Sequence, residues 1–197
     1  LPAYLPCWEE APSQLISLRQ AEARVRYTAE VCAQVVGLPL DQIRCLCEGC
    51  SRAIEIVHNG NELAGLYALR TARELGQLDR VILGTDSPAG SGVQPLGILR
   101  LIALLASVGD TPAEIAFCLA SGNTARIRGL DCGLIEPGRA ADFVFLDRAQ
   151  HSSGRDLLDS VRKGDLPGIG MVVIDGVVRC ARSRNTPPAE RVPELVG

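Results

Sequence analysis

The sequence has no excess of basic residues. Its 20 Lys and Arg are outnumbered by 23 Asp and Glu, for a formal charge of -3 over 197 residues. It therefore lacks the broad positive surface on which nucleic acids are held, and no nucleic-acid partner is expected. It also lacks any apolar run of the roughly 18 residues needed to cross a bilayer, so no membrane partner is expected. The first residues, Leu1-Pro2-Ala3-Tyr4-Leu5-Pro6, contain no initiator Met and no basic-then-apolar layout of a signal peptide. The expectation is a soluble chain whose first residue is a cut edge. Internal repeats and low-complexity tracts are absent too. The length falls below the roughly 250 residues of a complete eight-stranded α/β barrel, so any barrel present would be incomplete.

What the chain does have is a globular composition, 47% hydrophobic and 22% charged. Its eight cysteines are mostly scattered among apolar residues. There a free thiol behaves as a small hydrophobe, which predicts reduced cysteines and a cytoplasmic protein. Cys45-Leu46-Cys47-Glu48-Gly49-Cys50 is the exception, because three crowded thiolates could hold zinc or an iron–sulfur cluster. No fourth ligand follows at a standard spacing. A non-catalytic metal- or partner-binding protein built on Cys45, Cys47 and Cys50 is accordingly the alternative function, with helix-borne thiols as the simpler reading of the cluster.

The element pattern is α/β. A loosely helical stretch over 13–36 breaks at Gly37 and Pro39, and Asp41 reads as the N-cap of a short helix ending near Ser51. Ala53-Ile54-Glu55-Ile56-Val57 has the length and branching of a buried strand and ends at His58-Asn59-Gly60-Asn61. Asn61 caps a predicted helix over 62–75, stopped by Gly76, and Val81-Ile82-Leu83 is the next strand. Strand, helix and strand make the βαβ unit of a parallel sheet, which sets the His58 loop beside the loop after the second strand. Helices are predicted over 96–107 and 112–126, the second opened by Thr111-Pro112-Ala113-Glu114 as a capping box, with Phe117, Cys118, Leu119 and Ala120 in the core. Beyond Gly129 the pattern turns to strands. Gly133-Leu134-Ile135 starts one before a Pro137-Gly138 turn, 142–147 is another, and Asp175-Gly176 joins a hairpin. A surface helix over 154–163 stops at Gly164, and the residues from Asn185 read as an extended, solvated end.

The segment richest in chemistry is Val81-Ile82-Leu83-Gly84-Thr85-Asp86-Ser87-Pro88-Ala89-Gly90-Ser91-Gly92, a strand that ends at an acidic residue and opens into a glycine-rich loop. In a parallel α/β barrel the working groups stand at the carboxyl ends of the strands, so Asp86 is placed to face a ligand or a metal. The competing reading is an aspartate that caps its own turn. Gly90 and Gly92 allow close backbone approach or form a plain flexible connection.

Four segments, in this order, resemble the C-terminal part of the amidohydrolase superfamily. They are Gly84-Thr85-Asp86; Ala120-Ser121-Gly122-Asn123-Thr124-Ala125 leading to Gly129-Leu130; Gly133-Leu134-Ile135-Glu136-Pro137-Gly138-Arg139-Ala140-Ala141-Asp142-Phe143-Val144; and Val173-Ile174-Asp175-Gly176. Glu55-Ile56-Val57, Pro95-Leu96-Gly97-Ile98-Leu99-Arg100, Gly164-Asp165-Leu166-Pro167-Gly168 and Ser183-Arg184-Asn185-Thr186-Pro187-Pro188-Ala189 resemble members that open cyclic enamides. The resemblance implies the C-terminal part of a TIM-like (β/α)8 barrel over 42–128 and a small β-rich composite or β-sandwich unit over 129–183. Residues 1–41 match poorly, and 184–197 form the tail. It implies metal-dependent hydrolysis of a non-peptide C–N bond in a cyclic amide, enamide or lactam, with a divalent ion, zinc or iron, as cofactor and a small cyclic nitrogenous molecule as substrate.

The same resemblance gives Asp86 the role of metal ligand and of the group that exchanges a proton with the hydrolytic water, while the metal lowers that water's pKa from about 15.7 toward 7. His58 and Asn59 line the substrate side, and Thr85, Ser87 and Gly90 shape the loop around Asp86 and belong with the substrate-binding set. His151 has no assigned role. The superfamily's His-x-His pair, its bridging carboxylate or carboxylated lysine, and its two further histidines have no counterparts here. With two histidines in all, the chain offers one matching ligand, and a zinc site needs at least three protein donors. The expectation is a fragment that does not by itself hold the metal or turn over substrate, and whose open edges drive association into a homo-oligomer.

Overall fold

The computed structural model describes residues 31–35, 39–87, 92–194 and 196. They fall into two compact units, one made of the chain up to Gln94 together with Arg126–Leu130, the other of Pro95–Ala125 with Asp131–Gly197.

In the first unit, strands β1 (Val31–Val35), β2 (Ala53–Val57) and β3 (Val81–Gly84) form a parallel sheet in that order, with helix α1 (Leu40–Gly49) between the first two and α2 (Glu62–Glu74) before the third. All five residues of β2 are buried, as expected of a parallel strand covered on both faces. Ile54, Ile56, Leu69, Val81 and Ile82 are nearly inaccessible, and burying each such side chain is worth about 1.5–3 kcal/mol. Helix α2 lies close on β2, since a Cβ added at Gly65 would come within 3.0 Å of Ile56. Asn61 caps α2 as its sequence suggests, its side chain accepting from the Ala64 N–H at 3.1 Å.

Two expectations for this unit are corrected. Residues 31–35 form a strand where a helix was read, because parallel pairing with β2 outweighs a weak helical periodicity; the rest of the 13–36 stretch, Val36 and residues 13–30, lies outside the described residues. Asp41 is not the cap of α1. Pro39 occupies that position without a side-chain bond, and Asp41 sits in the first turn, where its charge meets the positive end of the helix dipole.

The second unit contains α3 (Gly97–Ser107), α4 (Ala113–Ala120), most of α5 (Gly122–Arg128), β4 (Phe143–Asp147), α6 (Leu157–Arg162), β5 (Gly168–Ile174) and β6 (Val177–Cys180). Helices α3, α4 and α6 pack together around Leu101, Leu105, Leu119 and Val161. The strands form an antiparallel sheet in the order β4-β5-β6. The β5–β6 hairpin turns at Asp175 (φ 52°) and Gly176 (φ 73°), the two consecutive left-handed residues that a type I′ turn requires.

Here the sequence reading departs from the structure at five places. The predicted 112–126 helix is two helices, broken at Ser121, whose hydroxyl donates back to the Phe117 carbonyl at 2.8 Å. Thr111 forms no capping box, for it is buried and donates to the Gly109 carbonyl, while Pro112 stands at the cap. Cys118 is exposed rather than in the core. Leu134 and Ile135 form no strand and are 40% and 86% exposed. Helix α6 is shorter than predicted and is not superficial, since Ser160 and Val161 are fully buried.

The tail is not solvated throughout. Gln150 N–H donates to the Pro188 carbonyl at 2.9 Å and Glu190 N–H to the Arg148 carbonyl at 3.0 Å, pairing Ala149 with Ala189. The buried Ala189 fills space that only a glycine at Gly168 leaves open. No described helix is long and apolar enough to cross a membrane.

Candidate active site

Strand register brings the polar ends of β2 and β3 together. Val57 stands opposite Gly84, and the pairing runs on past the strands. His58 N–H donates to the Gly84 carbonyl at 3.0 Å, Asn59 N–H donates to the Thr85 carbonyl at 3.2 Å, and the Asn59 side-chain amide donates to the Asp86 carbonyl at 3.1 Å. His58, Asn59, Thr85, Asp86 and Ser87 are all half-buried. The two loops therefore sit side by side at the carboxyl end of the sheet, the position that parallel pairing of adjacent strands dictates. Gly90 lies outside the described residues.

The described residues of the loop make their bonds through Thr85 and Ser87. An aspartate that caps a turn uses its carboxylate to accept a backbone N–H. In this loop Thr85 does that work, its hydroxyl accepting from Ser87 N–H at 3.3 Å. The Ser87 hydroxyl donates to the Gly92 carbonyl at 3.0 Å and accepts from Gln94 N–H at 3.2 Å, closing the loop. Among the described residues the Asp86 carboxylate takes no hydrogen bond or ion pair; only its backbone carbonyl is engaged. Asp86 also adopts φ 52°, a left-handed conformation that is uncommon outside glycine. The Asp86 carboxylate is half-buried and takes no bond from the described residues of its loop.

The described residues do not complete a metal site. No group of three or more His, Cys, Asp and Glu side chains among them is arranged to hold an ion. Zinc requires at least three protein donors, and Asp86 is one. A cation at this strand end would have to draw its remaining donors from elsewhere. The cysteine cluster does not offer a substitute. Cys50 is disulfide-bonded, where a helix-borne thiol was the simpler expectation for the cluster. Cys45 and Cys47, two residues apart on α1, point about 200° apart around the helix. Cys47 is buried, and that burial pushes its thiol pKa up, away from the thiolate that a metal needs.

Sequence reasoning missed the charge pair inside the sheet. Glu55, at the centre of β2, is 3% exposed and lies 2.7 Å from Arg128 at the end of α5. The signal was present: a glutamate between two isoleucines in an otherwise apolar strand is a buried charge, and a buried charge implies a partner.

The sequence matches the amidohydrolase family over residues 38–179. The chain belongs to that family. This amidohydrolase chain is 44% identical over 144 residues to enamidase from Eubacterium barkeri, a match that spans 73% of the chain and 37% of that protein. The crystal structure of enamidase, described as a new member of the amidohydrolase superfamily, matches with a TM-score of 0.80 at 37% sequence identity, over 86% of this chain and 46% of the enamidase chain. A β-aspartyl dipeptidase from Fervidobacterium islandicum also matches, at 18% identity and a TM-score of 0.47 over 71% of this chain and 35% of its own. The chain thus spans less than half the length of the enamidase it resembles. The match to enamidase supports an α/β, TIM-barrel-like fold, and the described residues are mixed α/β with a three-stranded parallel sheet.

Proposed function

We propose that this amidohydrolase chain contributes Asp86 to the hydrolysis of a non-peptide C–N bond in a small cyclic amide, enamide or lactam. The observation that carries the reading is the half-buried Asp86 carboxylate at the carboxyl end of β3, which takes no bond from the described residues of its loop. In this reading Asp86 is the catalytic residue. Its carboxylate accepts a proton from the attacking water as the water oxygen bonds to the ring carbonyl carbon. It then returns that proton to the ring nitrogen as the C–N bond breaks, so that a ring amide becomes a carboxylic acid and an amine or enamine. His58 and Asn59, on the adjoining loop, contact the substrate, Thr85 and Ser87 hold the loop that presents Asp86, and Gly90 belongs with the substrate-binding set. A divalent ion such as zinc or iron, when bound, would polarise the carbonyl and acidify the water. Self-association belongs to the same proposal, supported by the sheet order, which gives β1 and β3 one neighbour each among the described residues.

Because the chain spans part of its relatives, the test uses a chimera in which the matching part of Eubacterium enamidase is replaced by this sequence. The chimera, supplied with zinc or iron, is assayed on a cyclic enamide, a lactam and a linear dipeptide. Ring opening of the cyclic substrates, with no cleavage of the dipeptide, is expected. Cleavage of the dipeptide alone would overturn the substrate class, and a folded, metal-loaded chimera inert toward all three would overturn the function.

A further inference from the structure

We infer that Glu55, Arg128 and Gly84 form a lock beneath the Asp86 loop, in which Glu55 is a positioning residue for the strand-end carboxylate; the inference rests on the reading of Asp86 as the working group. Glu55 and Val57 are two apart in β2, so both face the same side of the sheet. Val57 stands opposite Gly84, and a Cβ placed on Gly84 would clash with the Glu55 Oε1 atom. Gly84 has no positive φ. Its backbone conformation would accept any residue, and what demands glycine there is the space taken by the Glu55 carboxylate.

That carboxylate is in turn held by Arg128, Nη2 to Oε1 at 2.7 Å, with Glu55 almost wholly out of solvent. Apolar residues of similar volume often replace a buried ion pair without loss of stability, so stability alone is a weak reason for this one. Its location supplies a stronger reason. The Gly84 carbonyl receives the His58 N–H, and the next two carbonyls, of Thr85 and Asp86, receive the backbone and side-chain N–H groups of Asn59. A carboxylate fixed by Arg128 and packed into the notch at Gly84 sets where β3 ends. The three bonds that follow carry that setting to Asp86.

Amide hydrogen exchange on the full chain tests the lock without any assay of catalysis. The amides to follow are those of His58 and Asn59, with Gly65, whose N–H donates to the Asn61 carbonyl at 3.0 Å in α2, as the reference. Glu55→Ala and Gly84→Ala are each expected to speed exchange at His58 and Asn59 by about tenfold relative to Gly65. Gly84→Ala made in the Glu55→Ala background should add less than about twofold, because the group it displaces is gone. Glu55→Gln, which keeps the shape and an acceptor for Arg128, should stay within about threefold of the parent. Should Glu55→Ala not fold, Glu55→Asp, shorter by one methylene, takes its place in the same comparison with Gly84→Ala. Exchange at His58 and Asn59 that moves in step with Gly65 in every variant would reduce the pair to a general structural role. An effect of Gly84→Ala independent of residue 55 would overturn the lock. The effect of Asp86→Asn on hydrolysis is a separate result, so a failure of the Asp86 reading and a failure of the lock can be told apart.

Discussion

Asp147 and Arg191 offer the clearest test of how the tail is held. Asp147 is 5% exposed, and its two oxygens receive four donors: Arg191 Nε at 2.8 Å, Arg191 Nη2 at 3.0 Å, and the backbone N–H groups of Arg191 and Arg148 at 3.0 and 2.9 Å. The Arg191 guanidinium, followed by those backbone donors, holds the carboxyl pKa down from 3.8 to about 2, against the opposing pull of burial. At about 1.36 kcal/mol per pH unit, that difference corresponds to about 2.4 kcal/mol. The Arg191 side chain is 82% exposed, so solvent screening reduces the contribution to about 1–2 kcal/mol.

A carboxyl whose folded pKa is depressed stabilises the fold above its unfolded pKa. That contribution is therefore fully present at neutral pH and is lost as pH falls from 3.8 toward about 2. Asp147→Asn, nearly isosteric and uncharged, should destabilise the second unit by about 1–2 kcal/mol at pH 7 and by much less near pH 2. Urea unfolding followed by circular dichroism at both pH values measures the difference, and a carboxyl NMR titration reads the pKa itself. An equal loss at both pH values, or an Asp147 that titrates near 3.8, would refute the electrostatic account and leave only packing of the tail.

Other outcomes follow from the same structure. Asn61→Ala removes the cap of α2 and should cost about 1 kcal/mol in urea unfolding, with Asn61→Asp close to the parent. Iodoacetamide at pH 8 should label the exposed Cys118 well before Cys47, whose thiol is buried and whose pKa burial raises; mass spectrometry of timed samples gives the order. The chain dialysed against zinc should retain well under one equivalent per mole, with no change in Cys47→Ser, because no three donors meet among the described residues; metal analysis of both proteins checks this.

The parts of the fold legible in the sequence were those written in local chemistry. Asn61 announces α2 because an Asn oxygen before an apolar period satisfies a free N–H, and Asp175-Gly176 announces the hairpin because those residues tolerate left-handed backbone. The adjacency of the His58 and Asp86 loops followed from the parallel pairing of the two strands of one βαβ unit. What escaped was set by partners distant in sequence. Glu55 and Arg128 are 73 residues apart, and Asp147 and Arg191 are 44 apart, so neither the sheet's buried charge nor the docked tail shows in any local window. The break at Ser121 was hidden for a different reason: a serine hydroxyl can return to its own helix or leave it, and sequence does not say which. At the site itself, the residue types were visible but their bonding was not. Only the structure assigns the bonds among the described loop residues to the Thr85 and Ser87 hydroxyls.

The most direct test of that carboxylate's role is the turnover of a cyclic enamide by the enamidase chimera with Asp86 and with Asp86→Asn, at equal metal content. Loss of a positioned proton-transfer group predicts a kcat lower by about 100- to 10,000-fold with KM little changed. A chimera that opens the ring at an undiminished rate with asparagine at position 86 would contradict the account.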